Sequence, residues 1–334
     1  MLIQNLLGKS FSVATPYIIP DFLDKKVNAG DGFIYDSSIK LIGYNPKYIF
    51  STREILTEEK INLINTTKLL IITGANIIKD RFEIITGFDR QTLMKIKVPI
   101  VLMGIGHYGL SQTNKNGFDT DSKYILTEIL SRFPQISVRC NGSYKYIENC
   151  FKEIIKNIFN TSCPVIYNLE GVNKNFKKKN KYRQLVVTLT DRSNLKEQLP
   201  ILNFAKNFFK SKINILALHQ NFENKNLENY AKSQGYEVFS SKNYKNFIEL
   251  YKNTDIHFGN RVHAHLKCLS MGIPSFCTPF DLRQLYFSES IGLPLVIKQN
   301  DDHLRTFNFE SFTSHQNQSQ KIMDNFVKLI KNNL

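Results

Sequence analysis

The sequence predicts an α/β chain of two parallel-sheet domains, and three observations carry that prediction. Short apolar runs alternate with stretches of helical period, as buried parallel strands and their crossover helices do. The alternation is interrupted once by a basic segment and then restarts. The 334 residues are enough for two separate hydrophobic cores.

In the first domain, residues 1–170, the expected strands are KLLIIT (68–73), VPIVLMG (98–104), QISVR (135–139) and CPVIY (163–167). GVNKNFKKKNKYR, at 171–183, reads as a solvated basic linker. The second domain, residues 184–315, is expected to use QLVVTLT, INILAL, YEVFS, DIHFG and IPSFC as strands, with LKEQLPILNFAKNFFK as a crossover helix. Residues 316–334 form an amphipathic helix expected to pack across the domain boundary. Two doubly wound domains of this kind are expected to face each other across a cleft, with ligands at the carboxyl ends of the strands.

Hydrophobic residues at 42% and charged residues at 22% are ordinary for a globular chain and argue against long disorder. The net charge of +15 points to an acidic partner: a phosphorylated metabolite, nucleic acid or an anionic membrane surface. Cys140, Cys150, Cys163, Cys268 and Cys277 are odd in number, widely spaced and contain no C-x-x-C pair, which supports neither a disulfide framework nor a zinc ribbon. With no basic start followed by an uninterrupted apolar core and no window of about 18 apolar residues, neither a secretion signal nor a membrane span is expected. A cytoplasmic location is expected, and the basic balance allows peripheral association at the inner face of a membrane.

The densest chemistry lies in GNRVHAHLKCLSMGIPSF, residues 259–276. Asn260 is expected to cap a helix whose apolar stripe is Val262, Leu266 and Leu269, with Gly272 ending it and Pro274 opening the next strand. Arg261 and His265, four apart, share one face, and His263 lies across the stripe from them. Free N–H groups and the positive end of the helix dipole, together with these side chains, make an anion site.

Two other segments have the same character. In VNAGDGFIYDSSIKLIG (27–43), Asn28, Gly30, Asp31 and Gly32 precede a helix expected from Phe33, where small residues let the backbone approach a ligand. Asp31 is placed either to cap that helix or to hold a sugar hydroxyl. In SVRCNGSYKYIENC (137–150), Arg139 ends a strand beside a helix beginning near Asn141 to Ser143, a position suited to a bidentate anion contact.

With the N-x-G-D loop (Asn28, Gly30, Asp31), Arg139 followed by Ser143, the Cys163-Pro164 pair, and R-x-H-A trailed by G-x-P (Arg261, His263, Ala264, Gly272, Pro274), the chain resembles the polysaccharide pyruvyl transferase family. It departs from that family at Gly74-Ala75-Asn76, at Cys140 and at Arg283, where the family commonly has more glycines, an Asp and a Lys. The resemblance implies two Rossmann-like domains of GT-B-like form, with the acceptor on the N-terminal side and the donor on the C-terminal side. It implies transfer of the enolpyruvyl unit of phosphoenolpyruvate to a sugar of a surface polysaccharide or its precursor, forming a pyruvate ketal and releasing phosphate. The acceptor is lipid-linked, nucleotide-linked or polymeric.

On that reading His263 and Asp31 are catalytic. Arg261, Arg139, Asn260, His265, Asn28, Gly30, Arg283 and Ser143 bind substrate. The family motif selects His263 for proton transfer; helical geometry leaves His263 and His265 open. No cofactor and no metal are expected, because cationic side chains can do the work of a divalent ion. A nucleotide-sugar glycosyltransferase of the same fold is the first alternative. A non-catalytic nucleic-acid-binding protein is the second; it needs exposed aromatics along a basic stripe, whereas the 25 Phe and 15 Tyr are mostly core-directed, so no nucleic-acid partner is expected.

Overall fold

The computed structural model describes residues 3–4, 9–16, 28–74, 76–79, 81–107, 117–172, 176, 181–190, 195–220, 225–292, 295–296, 304 and 308–334. The chain forms two compact units. Unit 1 comprises Met1–Ile18, Ile34–Pro164 and Ser314–Leu334; unit 2 comprises Ile19–Phe33 and Val165–Thr313.

In unit 1 the elements are β1 (Ile3–Gln4), β2 (Lys9–Thr15), α1 (Ala29–Ile42, whose first turn lies in unit 2), β3 (Pro46–Ser51), α2 (Glu58–Asn65), β4 (Leu69–Thr73), α3 (Arg90–Lys95), β5 (Ile100–Ile105), α4 (Thr120–Arg132), β6 (Ile136–Val138), α5 (Asn141–Cys150) and β7 (Ile158–Asn160). The sheet order is β1-β3-β2-β4-β5-β6-β7, parallel except where β1 pairs antiparallel with β3. Every residue of β4 and β5 is buried, which is why both read as continuous apolar runs. A core that includes Leu70, Ile72, Ile100, Leu102, Ile125, Leu126 and Ile129 joins these strands to α4.

Unit 2 contains β8 (Gln184–Thr188), α6 (Leu195–Phe209), β9 (Ile213–Leu218), α7 (Lys225–Ser233), β10 (Glu237–Ser240), α8 (Tyr244–Lys252), β11 (Ile256–Gly259), α9 (Val262–Ser270), β12 (Ser275–Cys277) and α10 (Leu282–Ile291). All pairings in its sheet, β10-β9-β8-β11-β12, are parallel. The chain winds outward from β8 through β9 and β10, then returns to β11 and β12 on the other side. The topological switch point therefore lies between β8 and β11. α11 (Glu310–Asn332) is the long helix at the end of the chain.

Eight of the nine expected strands form, and CPVIY does not: Pro164–Ile166 is a 3₁₀ turn. Ser162 at φ 62° turns the chain out of an extended path, and Pro164 lacks the N–H that a ladder needs. Its ring packs on Gly104, where an added Cβ would lie 2.7 Å from Pro164 Cδ. β1, β2, β3 and β7 are not anticipated from the sequence. β2 (KSFSVAT) and β3 (PKYIFS) mix polar residues with apolar ones, which hides a buried strand.

Domain limits also differ from expectation. Residues 28–33 belong with unit 2, because the Ala29 N–H donates to His219 O at 2.9 Å and Asn28 bridges Gln220 in antiparallel fashion. From Ser314 the final helix belongs to unit 1, where Phe326 meets Phe133 edge-on at 6.0 Å. Most of the expected linker, residues 173–175 and 177–180, lies outside the described residues, as does Ala75.

Candidate active site

At the switch point of unit 2, β11 ends in Gly259 at φ 143°, and a Cβ there would sit 2.0 Å from Thr188 O on the neighbouring strand. Only glycine lets β8 and β11 approach so closely at this turn. Asn260 follows; its N–H donates to Thr188 O at 3.0 Å and its Oδ1 accepts from the Thr190 N–H at 2.6 Å. Asn260 thus braces the loop after β8 and does not cap α9, contrary to the sequence expectation. The N-cap is Arg261, and no side chain caps this end of the helix.

Arg261 is held by two neutral acceptors: Nε donates to Leu189 O at 2.9 Å and Nη2 to Gln220 Oε1 at 2.7 Å. These partners sit just beyond β8 and β9, so the guanidinium lies over the carboxyl edge of the sheet, where ligands of doubly wound folds bind. Gln220 follows His219, a buried imidazole packed against Phe33 at 5.5 Å and Phe247 at 4.7 Å and hydrogen-bonded through Nε2 to Tyr251 OH. Burial, and after it the positive charges of Arg261 and His263, hold the His219 pKa well below the ordinary value.

The N-x-G-D segment reaches the same place. α1 starts at Ala29, four residues earlier than expected, because Asn28 caps it: Asn28 Oδ1 accepts from the Gly30 N–H at 3.2 Å and Asn28 O from the Asp31 N–H at 3.0 Å. Asn28 Nδ2 in turn donates to Asp31 Oδ2 at 2.8 Å, fixing the carboxylate in the first turn. A Cβ on Gly30 would lie 3.0 Å from His263 Nδ1. Two motifs far apart in sequence therefore meet within one unit, at a contact where any side chain on residue 30 would press on His263.

His265 does not join them. It is 2% exposed, its Nδ1 engages Ser275 Oγ at 2.6 Å, and burial lowers its pKa to about 3. The sequence expects it to bind substrate, yet its ring is buried in the core beside β12, and Arg261, standing at the non-helical cap, does not share a face with it. Arg283 is also diverted, since its Nε donates to both Asp281 carboxylate oxygens at 2.9 Å while Asp281 caps α10.

Arg139 and Ser143 lie in unit 1. Arg139 is 1% exposed and fits against Gly106, where a Cβ would be 2.0 Å from its Nε. Its Nη2 donates to Asn76 Oδ1 and, at 3.4 Å, to His107 O. Ser143 Oγ accepts the His107 N–H at 2.9 Å, and the His107 ring stacks on Tyr146 at 4.1 Å. Both predicted residues thus hold the backbone of a histidine that sequence reasoning passed over.

Residues 28–281 match the family described as Polysaccharide pyruvyl transferase. The chain belongs to the polysaccharide pyruvyl transferase family. No curated protein matches it significantly in sequence. Among solved structures it is similar to S. aureus MnaA bound to UDP, with TM-score 0.51 and 12% identity over 98% of each chain. It is also similar to the wall teichoic acid polymerase TagF, with TM-score 0.49 and 13% identity over 96% of this chain and 89% of that one. The UDP-GlcNAc 2-epimerase of Neisseria meningitidis has TM-score 0.47 and 12% identity, over 97% of this chain and 99% of that one. The likeness to MnaA is one of fold, and that fold is GT-B-like.

As a pyruvyl transferase family member the chain is a polysaccharide-modifying transferase. Its motif residues Asn28, Gly30, Asp31, Arg261 and His263 converge in unit 2, whereas Arg139 and Ser143 stand in unit 1. His219, Gln220 and His107 were missed, although each follows an apolar strand run, the same signal that singled out Arg139. Among the described residues no group of His, Cys, Asp and Glu has the form of a metal-ligand set. No helix among them is long and apolar enough to cross a membrane.

Proposed function

We propose that this transferase takes phosphoenolpyruvate as donor and builds a pyruvate ketal on two hydroxyls of a sugar in a surface polysaccharide or its precursor. The observation that carries the reading is the meeting of Arg261, His263 and the Asn28–Asp31 turn at the switch point, together with membership of the family. The donor bears a phosphate and a carboxylate on one enol carbon. Arg261 supplies a planar, oriented guanidinium for one anionic group, and the uncapped N–H groups opening α9 supply donors for the other.

Ketal formation needs a proton on the donor's methylene carbon, attack on the central carbon by two sugar hydroxyls, and departure of phosphate. His263, half-buried beside Gly30, is the imidazole available for proton transfer; His265, buried and neutral, is not. Asp31, steadied by Asn28, is assigned to the acceptor hydroxyls. Arg139 is assigned to an anionic group in unit 1. Sugar acceptors and peripheral association with an anionic membrane belong to the same proposal.

The test is ligand-induced thermal stabilisation followed by turnover. Phosphoenolpyruvate should raise the melting temperature, and incubation with a panel of sugar acceptors should release phosphate and add the mass of a pyruvyl group. Arg261→Lys should lose most of the stabilisation, because an ammonium cannot hold Leu189 O and Gln220 Oε1 while facing the donor. Stabilisation by nucleoside diphosphates but not by phosphoenolpyruvate would overturn this reading in favour of a nucleotide-sugar glycosyltransferase.

A further inference from the structure

Beneath the Asn260–Arg261 turn lies a chain of four buried side chains that the proposed reaction leaves unused. Thr188 Oγ1 and His257 Nε2 are 2.8 Å apart, His257 Nδ1 and Ser275 Oγ 2.6 Å, and Ser275 Oγ and His265 Nδ1 2.6 Å. None of the four is more than 2% exposed. A hydroxyl carries one proton and two lone pairs, so Ser275 can donate to one ring nitrogen while it accepts from the other; that arrangement gives its own O–H a partner and makes the two neutral imidazoles opposite tautomers. Burial lowers the pKa of both rings, which keeps them neutral.

The direction of the chain follows from its end. His265 Nε2 is buried and has no hydrogen-bond partner among the described residues. A proton there would be an orphaned N–H, costlier than a bare ring nitrogen. His265 therefore carries its proton on Nδ1 and donates to Ser275; Ser275 donates to His257 Nδ1; and His257 Nε2–H donates to Thr188.

Both ends of this chain grip the turn above it through the backbone. Thr188 O accepts the Asn260 N–H at 3.0 Å, and the His265 N–H donates to Arg261 O at 3.1 Å. Ser275 closes the loop from β12, so the turn between β11 and α9 is held from both sides. We propose that His257, Ser275 and His265 are positioning residues that set the Arg261–His263 turn through one shared hydroxyl. The inference rests on the reading of that turn as the donor site.

The experiment uses the full chain labelled with ¹⁵N-histidine, recording two-bond ¹H–¹⁵N correlations of the imidazoles at pH 7, assigned with single-histidine variants. The expected spectrum shows His265 as the Nδ1–H tautomer and His257 as the Nε2–H tautomer. Ser275→Ala removes the shared hydroxyl. Ser275→Cys fills nearly the same space with a weak donor and carries the test if the alanine variant does not fold. In either folded variant the His263 ring signals should move, although the Ser275 hydroxyl engages His257 and His265 and not His263. Turnover with phosphoenolpyruvate should fall about 10-fold to 10²-fold, the scale of a misplaced catalytic group, and Ser275→Thr should restore most of it.

Matching tautomers in the wild type, or an unmoved His263 in folded Ser275→Cys, would overturn the inference. Because the spectra need no substrate, a wild-type protein inert toward phosphoenolpyruvate would sink the donor assignment alone, and the tautomers and the His263 signals would still decide the positioning role.

Discussion

Gly30→Ala separates catalytic geometry from folding more cleanly than any substitution of a charged residue. Gly30 is the second residue of α1, so alanine there gains helix propensity, up to about 1 kcal/mol in a helix interior and less in a first turn. Against this, the new methyl would lie 3.0 Å from His263 Nδ1, 3.2 Å from His263 Cβ and 3.4 Å from Asn28 Oδ1. Ordinary contacts between such atoms are roughly 3.5–4.0 Å, so His263 or the α1 turn must yield by about half an ångström. His263 Cβ is fixed to the frame of α9 and cannot rotate away. The strain, about 0.5–1.5 kcal/mol for a displaced rotamer, offsets the propensity gain, and stability should stay within about 1 kcal/mol of wild type. Turnover should nonetheless fall about 10²-fold, because the imidazole has been moved relative to Arg261. Urea denaturation and phosphate release, measured on the same preparation, read both quantities. Gly87→Ala is the control: at φ 77° with nothing within 4 Å of its Cβ, it should cost about 1 kcal/mol of backbone strain and no activity. Full turnover by Gly30→Ala would refute the claim that His263 must stand where it does.

Two further outcomes follow from buried charge and buried imidazole. Lys267, 0% exposed, pairs with Glu170 at 2.7 Å, so Lys267→Met should cost about 3–5 kcal/mol in urea denaturation by removing the ammonium that faces a nearly buried carboxylate, and adding Glu170→Gln should recover much of it. A single-variant cost below about 1 kcal/mol, the value of a surface pair, would contradict that account. His219, His257 and His265 all have folded pKa values below their ordinary 6.5, so between that value and the folded pKa the unfolded chain binds more protons than the folded one. Stability should accordingly be complete above pH 6.5 and fall as the pH drops, for His265 down to about 3, by up to about 1.4 kcal/mol per pH unit per histidine. Denaturation midpoints that do not change between pH 7 and 5 would show that these rings are not buried neutral.

The two α/β units can be read from the sequence, because a strand buried on both faces is apolar over most of its length, and β4, β5, β8 and β9 are written that way. The C-terminal end of α9 was legible as well, where Gly272 at φ 72° terminates the helix as its lack of a side chain allows, whereas its N-cap fell to Arg261 instead of Asn260. The family motifs were legible too, since each is short and local. Tertiary structure alone decided which of them meet. Asn28, Gly30 and Asp31 precede most of unit 1 in the chain, yet backbone pairing to His219 and Gln220 carries them to Arg261 and His263 in unit 2. It also decided between two histidines in one helix. A helical wheel puts His265 on the face of Arg261, but Arg261 stands at the cap with non-helical φ and ψ of −88° and 101°, so the shared face is lost. His265 goes into the core to meet Ser275, and His263 stays beside Gly30. Burial and hydrogen-bond partners are properties of neighbours brought from elsewhere in the chain, and no spacing within one segment encodes them.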